Sequence, residues 1–98
     1  MSYRVIIQPR LRRILPTLGL SDFALVEVYR RLTIDLRDNP WQVLQLEPDP
    51  IEGMPYFFQF IDPENRILVH VFIFTILYGQ DEETLQVPSG LYARISVL

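Results

Sequence analysis

From Tyr3 to Gln8 apolar and polar positions alternate: Tyr3, Val5 and Ile7 share one side, Arg4, Ile6 and Gln8 the other, and Pro9 ends the pattern. This spacing predicts a strand at the N-terminus. Proline also suits the first turn of a helix, so a short helix over Arg10 to Leu15 follows, broken by Pro16 and Gly19. Ser21 and Asp22 are helix-capping types. The stripe Leu25, Val28, Tyr29, Leu32 and Leu36 that follows recurs at spacings of three and four, which places it on one side of a second helix. That helix is expected to close at Asp38-Asn39-Pro40, because a residue preceding proline is steered away from the α region.

Trp41 to Pro55 contains Pro48, Pro50, Gly53 and Pro55 and predicts an irregular connector. Tyr56 to Ile61 is aromatic and β-prone. Asp62-Pro63-Glu64-Asn65 has turn chemistry, and Arg66 to Tyr78 is rich in β-branched and aromatic residues, so the three segments predict a β-hairpin. Gly79 to Glu83 predicts an acidic turn, Thr84 to Val87 a short returning strand, and Pro88-Ser89-Gly90 a further turn. The tail, with Leu91, Ala93, Ile95 and Val97 on one side and Tyr92, Arg94 and Ser96 on the other, predicts a last strand. The order is that of an α+β domain spanning residues 1–98. An N-terminal strand and two helices precede an antiparallel meander of three or four strands, with the helices on one sheet face.

The strand from Arg66 to Tyr78 is apolar on both sides. Two helices can cover only one side, with Ile67, Val69, Val71, Ile73 and Leu77 or with Leu68, Phe72, Phe74, Ile76 and Tyr78. The other needs the connector or a second chain, and Leu68, Phe72, Phe74, Ile76 and Tyr78 are the residues expected to meet a homodimer partner or another protein.

Composition narrows the chemistry. There is no cysteine, which excludes disulfides and thiolate metal sites. The longest apolar run, Ile67 to Leu77, is about half the ~20 residues of a spanning helix, and no export signal is visible, so a cytoplasmic protein without a membrane segment is expected. The net charge of −3 hides a division: residues 1–37 hold seven Arg against three acids, residues 38–98 two Arg against nine. Arg10, Arg12 and Arg13 are the candidates for a nucleic-acid contact. An acidic chain weakens long-range attraction to phosphate, however, and internal ion pairing is the expectation.

His70 is the only histidine, so no two-histidine metal or acid–base site can be built. Glu82-Glu83, in a turn, and Asp49 with Glu52, in the connector, lack partner ligands at a metal-binding interval; no metal and no cofactor are expected. The four glycines are isolated at turns, which excludes a phosphate-cradling loop.

Tyr3-Arg4-Val5-Ile6-Ile7-Gln8-Pro9, Leu36-Arg37-Asp38-Asn39-Pro40 and the hairpin from Pro55-Tyr56 through Ile76, taken in this order, resemble the RelE/ParE superfamily of bacterial toxin–antitoxin toxins. The resemblance implies an antitoxin-like protein partner, and either ribosome-dependent cleavage of messenger RNA or inhibition of gyrase. A cleaving site would draw on Arg66, His70 and Tyr92, with Tyr78 and Arg94 nearby. The basic residues usual in such sites are replaced by Tyr56-Phe57-Phe58-Gln59 at the start of the hairpin and by the acidic Tyr78 to Glu83 segment after the long strand. The expectation is therefore a RelE/ParE-like protein that acts through protein contacts without ribonuclease activity. An active toxin and an unrelated structural or regulatory module are the alternatives.

Overall fold

The computed structural model describes residues 3–38, 40, 53–79 and 83–97. Strand β1 (Arg4–Ile7) leads through Pro9 into helix α1 (Pro9–Ile14) and a 3₁₀ turn, Leu15–Thr17. Helix α2 (Asp22–Arg30) begins where the Ser21 hydroxyl accepts the Ala24 amide at 3.1 Å, satisfying one of the free N–H groups of the first turn. Its axis continues through a wider, π-helical segment, Arg31–Asp35, into a closing turn, Leu36–Asp38. Strands β2 (Met54–Ile61), β3 (Leu68–Tyr78) and β4 (Thr84–Ser96) follow.

The α+β architecture is as the sequence predicts: two helices and a four-stranded sheet in the order β1-β4-β3-β2. The β2–β3–β4 meander is antiparallel, whereas β1 lies parallel to β4, so the sheet is mixed. Two details differ from expectation. Pro88-Ser89-Gly90 is not a turn, because β4 runs through it as one strand of 13 residues. The ladder to β3 instead shifts register there: Leu77 faces Gln86 while Thr75 faces Ser89. Such a bulge exchanges which alternate residues point inward. Before it Leu85 and Val87 are buried, and after it Gly90 and Tyr92 face the core side. The bulge also accommodates a proline that lacks a ladder N–H.

The second difference concerns the faces of β3. Phe72, Phe74 and Ile76 lie beneath the helices, at most 1% exposed, in a core with Leu11, Leu15, Val28, Leu32 and Leu36. Leu68 and Tyr78 are half-buried, Tyr78 against the Tyr3 ring. The residues expected to meet a second chain are therefore the inner face. Val69, Val71, Ile73 and Leu77 form the outer one, and Ile67 is exposed just before the strand. Most of the Trp41–Pro55 connector, including Asp49 and Glu52, lies outside the described residues, as do Asn39 and the tip of the acidic turn with Glu82. Pro55 itself is part of β2.

No helix among the described residues is long and apolar enough to cross a membrane. No group of three His, Cys, Asp or Glu among them is placed to hold a metal ion.

Candidate functional site

Register places the polar residues of the inner face. Across the sheet it aligns Tyr56 with Phe74 and Gly90, Phe58 with Phe72 and Tyr92, and Phe60 with His70 and Arg94. The aromatic rows end at His70, which is 1% exposed. A buried imidazole needs partners for both ring nitrogens, and both are supplied. Nε2 lies 2.6 Å from Asp62 Oδ2 and Nδ1 lies 2.7 Å from the Tyr92 hydroxyl, to which the Arg94 Nε–H donates at 3.1 Å. One direction satisfies every group: Arg94 donates to Tyr92, Tyr92 to His70 Nδ1, and His70 Nε2–H to Asp62.

Asp62 is buried at the start of the β2–β3 turn. Its Oδ1 accepts the Glu64 amide at 2.8 Å and the Asn65 amide at 3.1 Å, and the Ser21 hydroxyl lies 3.4 Å away. Burial acts to raise the pKa of this carboxyl, but the hydrogen bond from His70 and those from the two amides outweigh it, and the net direction is down. Arg94 Nη2 donates to Leu18 O at 3.0 Å and approaches Gly19 O at 3.4 Å. The chain of bonds thus joins the N-cap of α2, the hairpin turn, β3, β4 and the end of the 3₁₀ turn.

Of the predicted catalytic residues, His70 and Tyr92 are brought together. Arg66 sits exposed in the hairpin turn, and no ion pair among the described residues involves its side chain. His70 has no free nitrogen and no exposed edge, so the groups a solute can reach are Tyr92, which is half-buried, and Arg94, which is exposed. Sequence reasoning missed Asp62 as the partner of His70. The available signal was that a lone histidine among apolar strand positions must find a hydrogen-bonding group, and the Asp that opens the preceding turn is one of two acids in that turn, with Glu64.

The outer face is the other candidate. Three rows cross it: Phe57, Ile73 and Leu91; Gln59, Val71 and Ala93; Ile61, Val69 and Ile95. Phe57, Ile61 and Leu91 are 55%, 58% and 72% exposed. All nine residues are uncharged and eight are apolar, which makes a contiguous patch rather than scattered exposed side chains.

Arg10, Arg12 and Arg13 are exposed on α1 and no described acid pairs with them. The ion pairs of the basic N-terminal part form within the second helix, where Glu27 meets Arg30 at 2.7 Å and Arg31 at 2.8 Å. No family model, curated protein or solved structure matches this chain.

Proposed function

We propose that this protein is RelE/ParE-like and acts by holding another protein chain, a second copy or an antitoxin-like partner, without ribonuclease activity. The observation that carries the reading is the uncovered apolar face of Phe57, Ile61, Ile73, Leu91 and Ile95. Enclosing a large apolar side chain contributes roughly 1.5–3 kcal/mol, so a partner that covers several of them removes a standing cost of exposure. The order of strands and helices fits the superfamily's plan, and the basic residues of its cleaving members are missing from the start of β2. The enclosure of His70 also supports a role for this network in holding elements together, since a general base must reach the proton it removes.

Light scattering of the purified chain at tens of micromolar tests the contact. A dimer or a complex is expected, and Leu91→Lys together with Phe57→Lys should shift it to monomer with circular dichroism unchanged. A wild-type protein that stays monomeric and captures no co-expressed neighbour would remove the reading.

One observation favours the alternative of an active endoribonuclease: Tyr92 and Arg94 stand at the surface end of a continuous hydrogen-bonded chain from Asp62. Induced expression separates the two. No growth arrest is expected from the wild type, whereas arrest relieved by Tyr92→Phe would establish the alternative.

A further inference from the structure

β1 pairs with β4 only from Thr84 to Val87, and the ladder's last bond on that side runs from Gln8 N to Val87 O. β4 then continues to Ser96, bonded to β3 alone. From Pro88 to Ser96 its other edge has no backbone partner among the described residues. In place of a strand, α1 and the 3₁₀ turn stand opposite this edge. Two adjoining hollows of about 220 and 240 Å³ lie between them and share Leu11, Ile14 and Gly90. The first is apolar, floored by Phe72 and Phe74 and bounded by Tyr92, and the second is bounded by Arg10 and Pro88. An edge strand of this length is a template for another chain.

We propose that this groove binds an extended segment of a partner protein, acidic at its ends and apolar at alternate positions, which adds as a strand to the open edge of β4. The proposal rests on the reading of this protein as one that works through protein contacts, and it names a second surface and a recognition chemistry. Main-chain hydrogen bonds to β4 supply sequence-independent affinity, and every second side chain of the segment points toward the groove. An aliphatic side chain suits the hollow above Phe72 and Phe74. The acidic character follows from charge at the two ends: Arg10 lines the groove beside Pro88, with Arg12 and Arg13 exposed elsewhere on the same helix, and Arg94 stands at the other end, bonded to Leu18 of the first hollow. None of the four has a carboxylate partner among the described residues. Arg94 is already anchored by Tyr92 and Leu18, which fixes its position at little further entropic cost. Unpaired cations would also attract RNA, but an unpaired strand edge and an apolar hollow have no use in binding a phosphate backbone.

Fluorescein-labelled peptides of about eight residues, the length of the open edge, test this. One set carries Val, Leu or Ile alternating with Thr between Glu ends, and a matched set carries Lys ends. The acidic set is expected to bind, more weakly as salt rises, and to slow amide exchange in residues 89–96. Arg10→Glu should weaken binding about tenfold. Ile14→Trp, which fills the groove from an exposed position, should abolish it without changing the circular dichroism. Absence of binding by the acidic set, equal binding of the Lys set, indifference to both substitutions, or displacement of the peptide by a single-stranded RNA oligonucleotide would each overturn the proposal. The outer-face variant Phe57→Lys/Ile61→Lys, whose positions line neither hollow, separates the two readings. If peptide binding fails while outer-face association persists, only the groove falls; if both fail, the protein-contact reading falls with it.

Discussion

Phe74 and Ile73 are neighbours on β3, yet they live in different solvents. Phe74 is 1% exposed, stacked on Phe72 with centroids 5.4 Å apart and on Phe58 at 5.8 Å, under the helices. Ile73 is 39% exposed between Phe57 and Leu91. The two faces of this strand are almost equally apolar, so hydrophobicity alone does not decide which one is sealed. What decides is shape. The inner face carries the large aromatic rings, and Gly90 opposite Phe74 leaves room for them, whereas the outer face carries smaller branched side chains that tolerate exposure more cheaply.

The sharpest way to break this comparison is to truncate both neighbours. Phe74→Ala should lose about 3–5 kcal/mol in urea denaturation, because it opens a cavity in a close-packed interior. Ile73→Ala should lose less than about 1 kcal/mol from the monomer and instead weaken association. Equal losses in the two variants would mean that the outer face is also core.

Asp62 tests the polar end of the inner face. Asp62→Ala leaves the His70 Nε2–H without its buried acceptor, and a loss of about 3 kcal/mol is expected. The pH dependence has a definite sign. Because the folded pKa of Asp62 lies below its ordinary 3.8, its contribution is fully present above that value and is lost as pH falls through the folded pKa. Acid denaturation followed by circular dichroism should show this loss in the wild type and a flatter profile in Asp62→Ala. A variant as acid-sensitive as the wild type would assign the effect elsewhere.

Gly90 measures how tightly the inner rows are packed. A Cβ at this position would lie 2.5 Å from Phe74 Cδ1 and 2.9 Å from its Cε1, closer than any relaxed contact, and a tight 3.1 Å from Ile73 O. Gly90→Ala should therefore destabilise by about 1–3 kcal/mol, against about zero for Ser89→Ala one residue away. Thermal melts of the pair decide it.

Much of this was legible in the chain. The alternation of Tyr3 to Gln8, the stripe through Val28, Leu32 and Leu36, and the Asp62-Pro63 turn between two β-prone runs each specify a local structure, and each formed there. The inward face of β3 was not legible, because alternation tells which residues share a side and not which side the helices take. Pro88 and Gly90 imply a turn by composition, but here the proline sits at a bulge and the glycine answers to a ring on the neighbouring strand, a demand set by tertiary packing. The His70 network was legible only in part. Its members are eight, 22 and 24 residues from His70, and only strand register brings them together.

The rim of the inner face yields the smallest expected effect. Arg31 lies over the Phe58 ring, 5.2 Å from its centroid, and over Phe60 at 5.6 Å, and Glu27 holds it there with a 2.8 Å bond. Arg31 thus shields the ring edges that the helices leave open, a cover that the outer face lacks. Glu27 also bonds Arg30, and the bond from Arg30 is the largest influence holding its carboxyl down to about 2, from an ordinary 4.5, with Arg31 adding to it and burial opposing. Its folded pKa is depressed, so its contribution is complete above pH 4.5 and disappears as pH falls toward 2. All three side chains are partly exposed, and solvent screening limits such a pair to about 0.2–1 kcal/mol. Glu27→Gln should therefore lower stability at neutral pH by no more than that, and the difference from wild type should vanish below pH 2. If Arg31 is also the cover of the aromatic rim, Arg31→Ala should lose more than Glu27→Gln, and the excess should persist at low pH, where the carboxylate is neutral and only the contact with Phe58 and Phe60 remains. Equal losses at both pH values would reduce Arg31 to a surface ion-pair partner and leave the inner rim as bare as the outer face.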